Sequence, residues 1–132
     1  MAIKVVVLDG ARLPANVEFP PLELDKYGWE QYPQLGAGDL AERCWRADIV
    51  ITLGTPVDSN SLEQMAKIGL LICVGEVCTK LDQTAVTERG VELLAFRDAD
   101  LTDPVAAQDL CNRVTAAIDH YIRSCRHRGV EV

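Results

Sequence analysis

The sequence has no apolar run long enough to cross a bilayer, and it is short of positive charge. The apolar start from Met1 to Asp9 is too short for a secretory signal, and no stretch approaches the roughly 18 apolar residues that a membrane span needs. Lysine and arginine number 13 against 20 acidic residues, which gives a net charge of −7. The negative electrostatic field of such a chain repels phosphate backbones and anionic lipid surfaces. We therefore expect no nucleic-acid or membrane partner, and a cytoplasmic location.

Paired cysteine motifs are missing as well. The chain has 5 cysteines, an odd number scattered through apolar segments, and no CxxC. This usage is typical of reduced intracellular thiols rather than of a disulfide framework. Cys73 and Cys78 form a C-x4-C spacing, but the second pair of ligands that a zinc site needs is absent. We predict no bound metal.

Sequence signatures of nucleotide and cofactor binding are also absent. Neither GxGxxG nor GxxxxGK(S/T) occurs, so a dinucleotide or a nucleoside triphosphate lacks its usual site, and no GxSxG supports a serine hydrolase. The stretch Gly10–Pro14 offers few of the hydroxyls and glycines that cradle a flavin phosphate. The predicted third strand ends in Thr52-Leu53-Gly54, where a phosphorylatable domain needs an aspartate. We predict that this chain alone binds no cofactor.

Short apolar runs rich in β-branched residues are present instead, and they predict strands buried on both faces of a parallel sheet. A weaker candidate strand, in which polar and apolar residues alternate, lies between the first two of these apolar runs. In chain order the five predicted strands are Ile3–Leu8, Trp29–Tyr32, Asp48–Leu53, Leu70–Gly75 and Val91–Phe96.

The segments between these runs have helical spacing. They predict helices over 39–46, over 61–68, over 82–89 ending at Gly90, and over 104–124, where Thr102-Asp103-Pro104 supplies a cap and a first-turn proline. A short helix is also predicted near Glu23–Tyr27. Strand and helix alternate with short connections, which implies right-handed crossovers. The prediction is one domain over 1–132: a three-layer α/β/α, flavodoxin-like fold with a five-stranded parallel sheet of order 2-1-3-4-5 and a long C-terminal helix.

Ligands of such sheets bind beyond the carboxyl ends of the strands, where strand order reverses. This rule points to three loops, Asp9–Arg12 after the first strand and those after the third and fourth strands, and the candidate ligand-binding residues lie in the last two. Backbone amides at the glycines could approach a small anion, or the glycines could serve turn geometry alone. Cys78 is either a reactive thiol or a small packed residue, and Glu76 either orients a ligand or is solvated. The predicted residues are Gly54, Thr55, Gly75, Glu76, Val77, Cys78 and Thr79.

The order of several segments resembles a known family. The segments are Ile3–Asp9, Ala47–Thr52 with Pro56-Val57, Leu62–Leu71, and Leu81–Ala85 with Glu88–Val91. Together they resemble the N-terminal catalytic, substrate-binding domain of the D-isomer-specific 2-hydroxyacid dehydrogenases, with glycerate dehydrogenase and hydroxypyruvate reductase the most similar members. Pro104–Leu110 resembles the start of the helix by which that family crosses into its nucleotide-binding domain.

The resemblance implies a site for a substrate carboxylate in the loop after the fourth strand. In that family, backbone amides bind the carboxylate in a stretch that begins with a Thr-Gly pair. The corresponding stretch here is Gly75–Asp82, with Cys78 near the glycine position. This chain thus departs from the family in two ways. Cys78 has a side chain where the backbone must approach the carboxylate, and Glu76 carries the same negative charge as the ligand.

The family's nucleotide-binding domain has no counterpart in these residues. It would bring GxGxxG, a catalytic arginine, an acidic residue and a proton-transferring histidine, and neither His120 nor His127 is assigned that last role. We predict a stand-alone, substrate-domain-like protein that is accessory or binds a small carboxylate, with no catalytic residue of its own. The alternative is a component of an NAD-dependent D-2-hydroxyacid oxidoreductase whose nucleotide-binding domain, and with it NAD, belongs to another chain.

Two further expectations concern partners and thiol chemistry. A cleft face left bare where a nucleotide domain would dock favours association, so we expect a homodimer, formed through the long C-terminal helix, or a separate nucleotide-binding chain. A thiol-dependent activity at Cys78 is a third functional hypothesis.

Overall fold

A computed structural model describes residues 3–24, 26–57, 59–79, 81 and 83–127 of the chain. Within them, five strands form one parallel sheet of order β2-β1-β3-β4-β5, which confirms the predicted topology. The strands are β1 (Ile3–Val7), β2 (Tyr27–Gln31), β3 (Ile49–Thr52), β4 (Leu70–Val74) and β5 (Glu92–Phe96). The ends of the predicted 1–132 domain, and the predicted helix start at Asp82, lie outside the described residues.

Helices connect the strands and cover the sheet. Four α-helices and two short 3₁₀ turns are found in the described part of the chain. They are α1 (Ala37–Cys44), α2 (Ser59–Glu63), α3 (Gln83–Glu88) and α4 (Pro104–His127), with the 3₁₀ turns at Gly10–Arg12 and Gly75–Thr79. The predicted terminator Gly90 has a φ of 71°, the left-handed conformation that ends a helix. None of the described helices is long and apolar enough to cross a membrane.

The alternation of side chains along each central strand builds two separate cores. On one face, Val6, Val50 and Leu71 pack with buried residues of α1, α2 and α3. On the other face, the residues one position along, such as Val5 and Ile51, pack against α4. Because both faces are covered, the central strands are apolar throughout, and this is why they were recognisable as unbroken runs.

Helix α4 spans the second face together with the irregular segment 13–24. Its buried residues Leu110, Val114 and Ile118 pack on the strands. Polar groups at its side fix the segment: Asp119 Oδ1 accepts a hydrogen bond of 3.1 Å from the Glu23 amide, and Gln108 Nε2 donates one of 2.8 Å to the Glu18 carbonyl.

The predicted short helix near Glu23–Tyr27 is wrong. Tyr27 is the first residue of β2 and pairs with Ile3, and its hydroxyl accepts a hydrogen bond of 3.1 Å from the Leu22 amide. Prolines at 14, 20 and 21 lack amide donors, so the segment before β2 is held by contacts with α4 rather than by its own helical hydrogen bonds.

The predicted helix over 61–68 is displaced and shorter, since α2 ends at Glu63. Beyond it the backbone continues as tight turns with i to i+3 hydrogen bonds, from Met65 to Leu62 and from Ile68 to Met65. Both Leu62 and Met65 are buried, so a three-residue spacing of apolar side chains was satisfied by turns instead of by an α-helix.

Candidate functional site

The carboxyl ends of β1, β3 and β4 lie side by side in the middle of the sheet. Strand order reverses between β1 and β3, which is the position where ligands of doubly wound sheets bind. Two segments from the sequence predictions meet this edge: Leu53–Thr55, here called the β3 loop, and Gly75–Thr79, here called the β4 turn. The first polar residue after β1 at this edge is Asp9.

Asp9 holds the β3 loop through its carboxylate. The residue is 1% exposed, and its Oδ1 accepts a hydrogen bond of 2.8 Å from the Leu53 amide. Its Oδ2 accepts two more, at 2.9 Å from the Thr55 amide and 2.8 Å from the Thr55 hydroxyl. Charge-assisted hydrogen bonds of this kind are about twice as strong as neutral ones, and the Thr52 hydroxyl adds a neutral one of 2.7 Å to the Thr55 carbonyl.

Arg12 lies on the outer side of the same cluster. Its Nε is 3.2 Å from Asp9 Oδ2, and 53% of its side chain is exposed. The guanidinium packs flat over Gly54, where an added Cβ would lie 2.7 Å from Arg12 Cζ. Because Gly54 has no side chain, the Arg12 guanidinium can pack beside the β3 loop.

The β3 loop amides differ from the open anion site that the sequence suggested. The Thr55 amide already donates to Asp9, and the Gly54 amide lies 3.4 Å from Thr52 Oγ1. The Leu53 and Thr55 amides thus bond to the buried Asp9 carboxylate, and the Gly54 amide is directed at Thr52. The polar group that faces outward is Arg12.

The β4 turn packs two of its side chains into the core. Val77 is 7% and Cys78 1% exposed, and both belong to the core beneath α2 and α3. Gly75 has a φ of 84°, a left-handed conformation that favours glycine, while Glu76 is exposed. Thr79 ends the turn. The predicted residues therefore share one sheet edge, but Val77 and Cys78 face the interior.

Cys78 is placed against a second thiol. Its Sγ lies 2.7 Å from Cys73 Sγ in β4. Burial raises the pKa of the Cys73 thiol, and the hydrogen bond and charge of Cys78 raise it further. Within the fold as described, Cys78 is a buried member of a thiol pair rather than a solvent-exposed nucleophile.

Among the depressions outside this cluster, two are close to features named above. A shallow one of about 270 Å³ adjoins the turn that carries Arg12 and is lined by Gly10, Ala11, Gln31, Tyr32 and Pro33. A groove of about 980 Å³ runs along β5 beside α4, with Leu94, Phe96 and His120 in its walls. None of the predicted site residues lines that groove. No group of three metal-ligating side chains occurs among the residues placed by the structure.

Sequence reasoning named the loop after β1 as one edge of the cleft but did not assign a role to Asp9 or Arg12. The available signal was an acidic residue directly after a buried strand, followed three positions later by an arginine. That spacing fits one 3₁₀ turn, which brings i and i+3 together. The partner of the carboxylate, the β3 loop, is 44 to 46 residues away, so no local pattern could reveal it.

Comparison with known proteins gives one informative similarity. No family model matches the chain. Over 89 residues, 67% of this chain, it is 29% identical to a protein of Haemophilus influenzae named "Putative 2-hydroxyacid dehydrogenase". The matched region is 28% of that protein's length, so the chain spans little more than a quarter of this relative. The similarity suggests a relationship to the 2-hydroxyacid dehydrogenase family.

Proposed function

We propose that this chain binds a small carboxylate, of the 2-hydroxy or 2-oxo acid class, at the edge where β1, β3 and β4 end. The observation that carries the proposal is the Arg12 guanidinium, held by Asp9 against Gly54 and half exposed at the strand-order reversal. The similarity to a protein named as a 2-hydroxyacid dehydrogenase supports the same ligand class.

The chemistry of Arg12 suits a carboxylate. A guanidinium has five donors in a planar fork that can bind a carboxylate through two parallel hydrogen bonds. Its Nε faces Asp9 and 53% of its side chain is exposed, and we propose that its terminal nitrogens bind the ligand. The pair with Asp9 fixes the guanidinium before the ligand arrives, which reduces the entropy lost on binding.

The charges of the site predict weak binding. Asp9 neutralises Arg12, and the exposed Glu76 of the β4 turn adds a negative charge at the neighbouring strand end. A small acid therefore gains little from long-range attraction and depends on direct hydrogen bonds. We expect a dissociation constant in the millimolar range, equivalent to about −4 kcal/mol.

The proposed role is that of a substrate-binding domain, related to the N-terminal domain of D-2-hydroxyacid dehydrogenases, that is not catalytic alone. No NAD-binding sequence signature occurs in the chain, and hydride transfer needs that cofactor and an acid–base group beside it. We further propose that the chain forms one domain, acts in the cytoplasm and works as a homodimer or with a separate nucleotide-binding chain.

Titration of the isotope-labelled chain with D-glycerate and hydroxypyruvate, followed by two-dimensional NMR, tests the proposal. Amide shifts are expected in Gly10–Arg12, in the β3 loop and at the start of the β4 turn. Arg12→Gln should abolish them. Arg113→Gln is the matched control, because Arg113 is also half exposed and pairs with an aspartate, but on α4. Equal binding by the Arg12→Gln chain would refute the assignment.

The second candidate function is that of one part of an NAD-dependent oxidoreductase, which the partial coverage of the Haemophilus influenzae relative favours. The test is NADH consumption with hydroxypyruvate, measured for this chain alone and after co-expression with a neighbouring open reading frame that carries GxGxxG. Turnover only in the mixture supports this candidate. Turnover by the purified chain alone contradicts both candidates.

A further inference from the structure

Two cysteines of this chain lie in contact beneath the candidate site. Cys73 is in β4 and Cys78 is in the turn that follows it, and their sulfurs are 2.7 Å apart. Both residues are free thiols and are buried, at 0% and 1% exposure. The separation is less than 1 Å longer than a disulfide bond of about 2.05 Å.

The arrangement sets this pair apart from the other thiols. Cys44, Cys111 and Cys125 are buried as well: Cys44 shares the core cluster of the pair but lies in α1, Cys111 belongs to another cluster, and Cys125 lies near the end of α4. Only small adjustments of the β4 turn would bring the Cys73 and Cys78 sulfurs to bonding distance. The sequence spacing closes a short ring that contains Gly75, whose backbone is the most adaptable in the segment.

We propose that Cys73 and Cys78 are a redox-active dithiol that a small-molecule disulfide, such as oxidised glutathione, converts into an intramolecular disulfide. This goes beyond carboxylate binding and does not depend on it. Disulfides that form in reducing compartments are typically transient and redox-sensing, and this pair fits that use.

The exchange proceeds in two displacements. The Cys78 thiolate attacks one sulfur of the oxidant, the S–S bond of the oxidant breaks, and one thiolate leaves. The Cys73 thiolate then attacks the Cys78 sulfur of the mixed disulfide and displaces the second thiolate. Two electrons pass from the cysteines to the oxidant, and the two cysteine protons end on the two released thiols.

Access requires the β4 turn to open, because neither sulfur reaches the surface in the closed fold. The turn is a single 3₁₀ segment of 5 residues, and local opening of such segments costs less than global unfolding. Oxidation then joins the turn covalently to β4. We expect slower amide hydrogen exchange in Gly75–Thr79 after oxidation.

Peptide mapping of the full chain tests the proposal. Trypsin cleaves after Lys67 and Lys80, so peptide 68–80 carries both cysteines, while each of the other three falls in a peptide of its own. After native incubation with oxidised glutathione, acid quench and alkylation under denaturing conditions, peptide 68–80 should lack both alkyl groups and weigh two hydrogen atoms less. Dithiothreitol should restore alkylation of both cysteines.

Two controls make the result decisive. Cys111→Ser should form the same ring, and Cys78→Ser should not. Because a Cys78→Ser chain can fail to fold, the wild-type chain is also titrated in glutathione buffers, native and in urea. Native contact should raise the oxidation constant at least about tenfold over the unfolded chain. A native constant equal to or below the unfolded one, or peptide 68–80 fully alkylated throughout, overturns the proposal.

Discussion

The β3 loop and the β4 turn end neighbouring strands of one sheet, yet they are held by different forces. The β3 loop has two amides bound to the buried Asp9 carboxylate, which also pairs with the exposed Arg12 of the turn after β1. The β4 turn buries Val77 and Cys78 in the core. A polar network fixes groups in one geometry, whereas packing tolerates small shifts. We therefore propose that the first region recognises the ligand and that the second responds by changes of conformation.

Removal of the Asp9 carboxylate should have the largest effect. Asp9→Ala leaves the Leu53 and Thr55 amides and the Thr55 hydroxyl without their acceptor, at a cost of about 3 kcal/mol or more in the free energy of unfolding. Urea denaturation measures it. Asp98→Ala, at an exposed position, should stay within about 0.5 kcal/mol of wild type. If both variants lose the same stability, the polar network does not hold this region.

Truncation in the β4 turn should cost less. Val77→Ala removes buried methyl groups and should lower the free energy of unfolding by about 2 kcal/mol. Val105→Ala makes the same change at a side chain that is 79% exposed, and urea denaturation should show almost no loss. Carboxylate binding should survive Val77→Ala. If Val77→Ala abolished carboxylate binding, the ligand would depend on the β4 turn, and its assignment to the region of Arg12 and the β3 loop would be wrong.

Alkaline pH should lower the free energy of unfolding through the ionisation of Cys73. Burial raises the pKa of Cys73, so above the ordinary thiol pKa of about 8.5 the unfolded chain ionises while the folded one stays protonated. Stability is complete below that pH and falls above it, by at most about 1.4 kcal/mol per pH unit for one group. Denaturation under reducing conditions should show a shallower fall for Cys73→Ala. Identical slopes would contradict the raised pKa.

Replacement of Gly75 or Gly54 by alanine should have the smallest effects, and only the second should also change carboxylate binding. Gly75→Ala places a Cβ at a φ of 84° and should cost about 1 kcal/mol of stability without a steric contact. Gly54→Ala should also cost about 1 kcal/mol, because its φ of 158° is rare for residues with a side chain, and it should in addition displace the Arg12 guanidinium and weaken carboxylate binding. Gly28→Ala, whose added Cβ meets nothing closer than 3.9 Å, is the control for both measurements.

The parallel sheet and its order were predictable because the fold uses local signals. Unbroken β-branched runs mark strands covered on both faces, and Pro104 and Gly90 mark a helix start and a helix end. The segment before β2 was not predictable, since its conformation depends on Asp119 and Gln108 of α4. Those contacts join residues about 90 or more positions apart in sequence.

The candidate site shows the same division. The strand-end loops followed from topology, and Gly54 and Thr55 lie where they were expected. What each residue does there depends on a long-range partner: Asp9 for Thr55, and Cys73 for Cys78. The C-x4-C spacing of Cys73 and Cys78 indicates only a metal motif that lacks its second pair of ligands. The sequence could not show that the end of β4 and its turn bring the two sulfurs together.

The reach of Asp9 across the chain has a consequence for how the molecule folds. Its bonds to Leu53 and Thr55 span 44 and 46 residues, so they form only after β1 and β3 have found each other. Closing a loop of that length is entropically costly and slow compared with making the adjacent helices. We expect the recognition edge to mature late in folding, after the strands beneath it are in register.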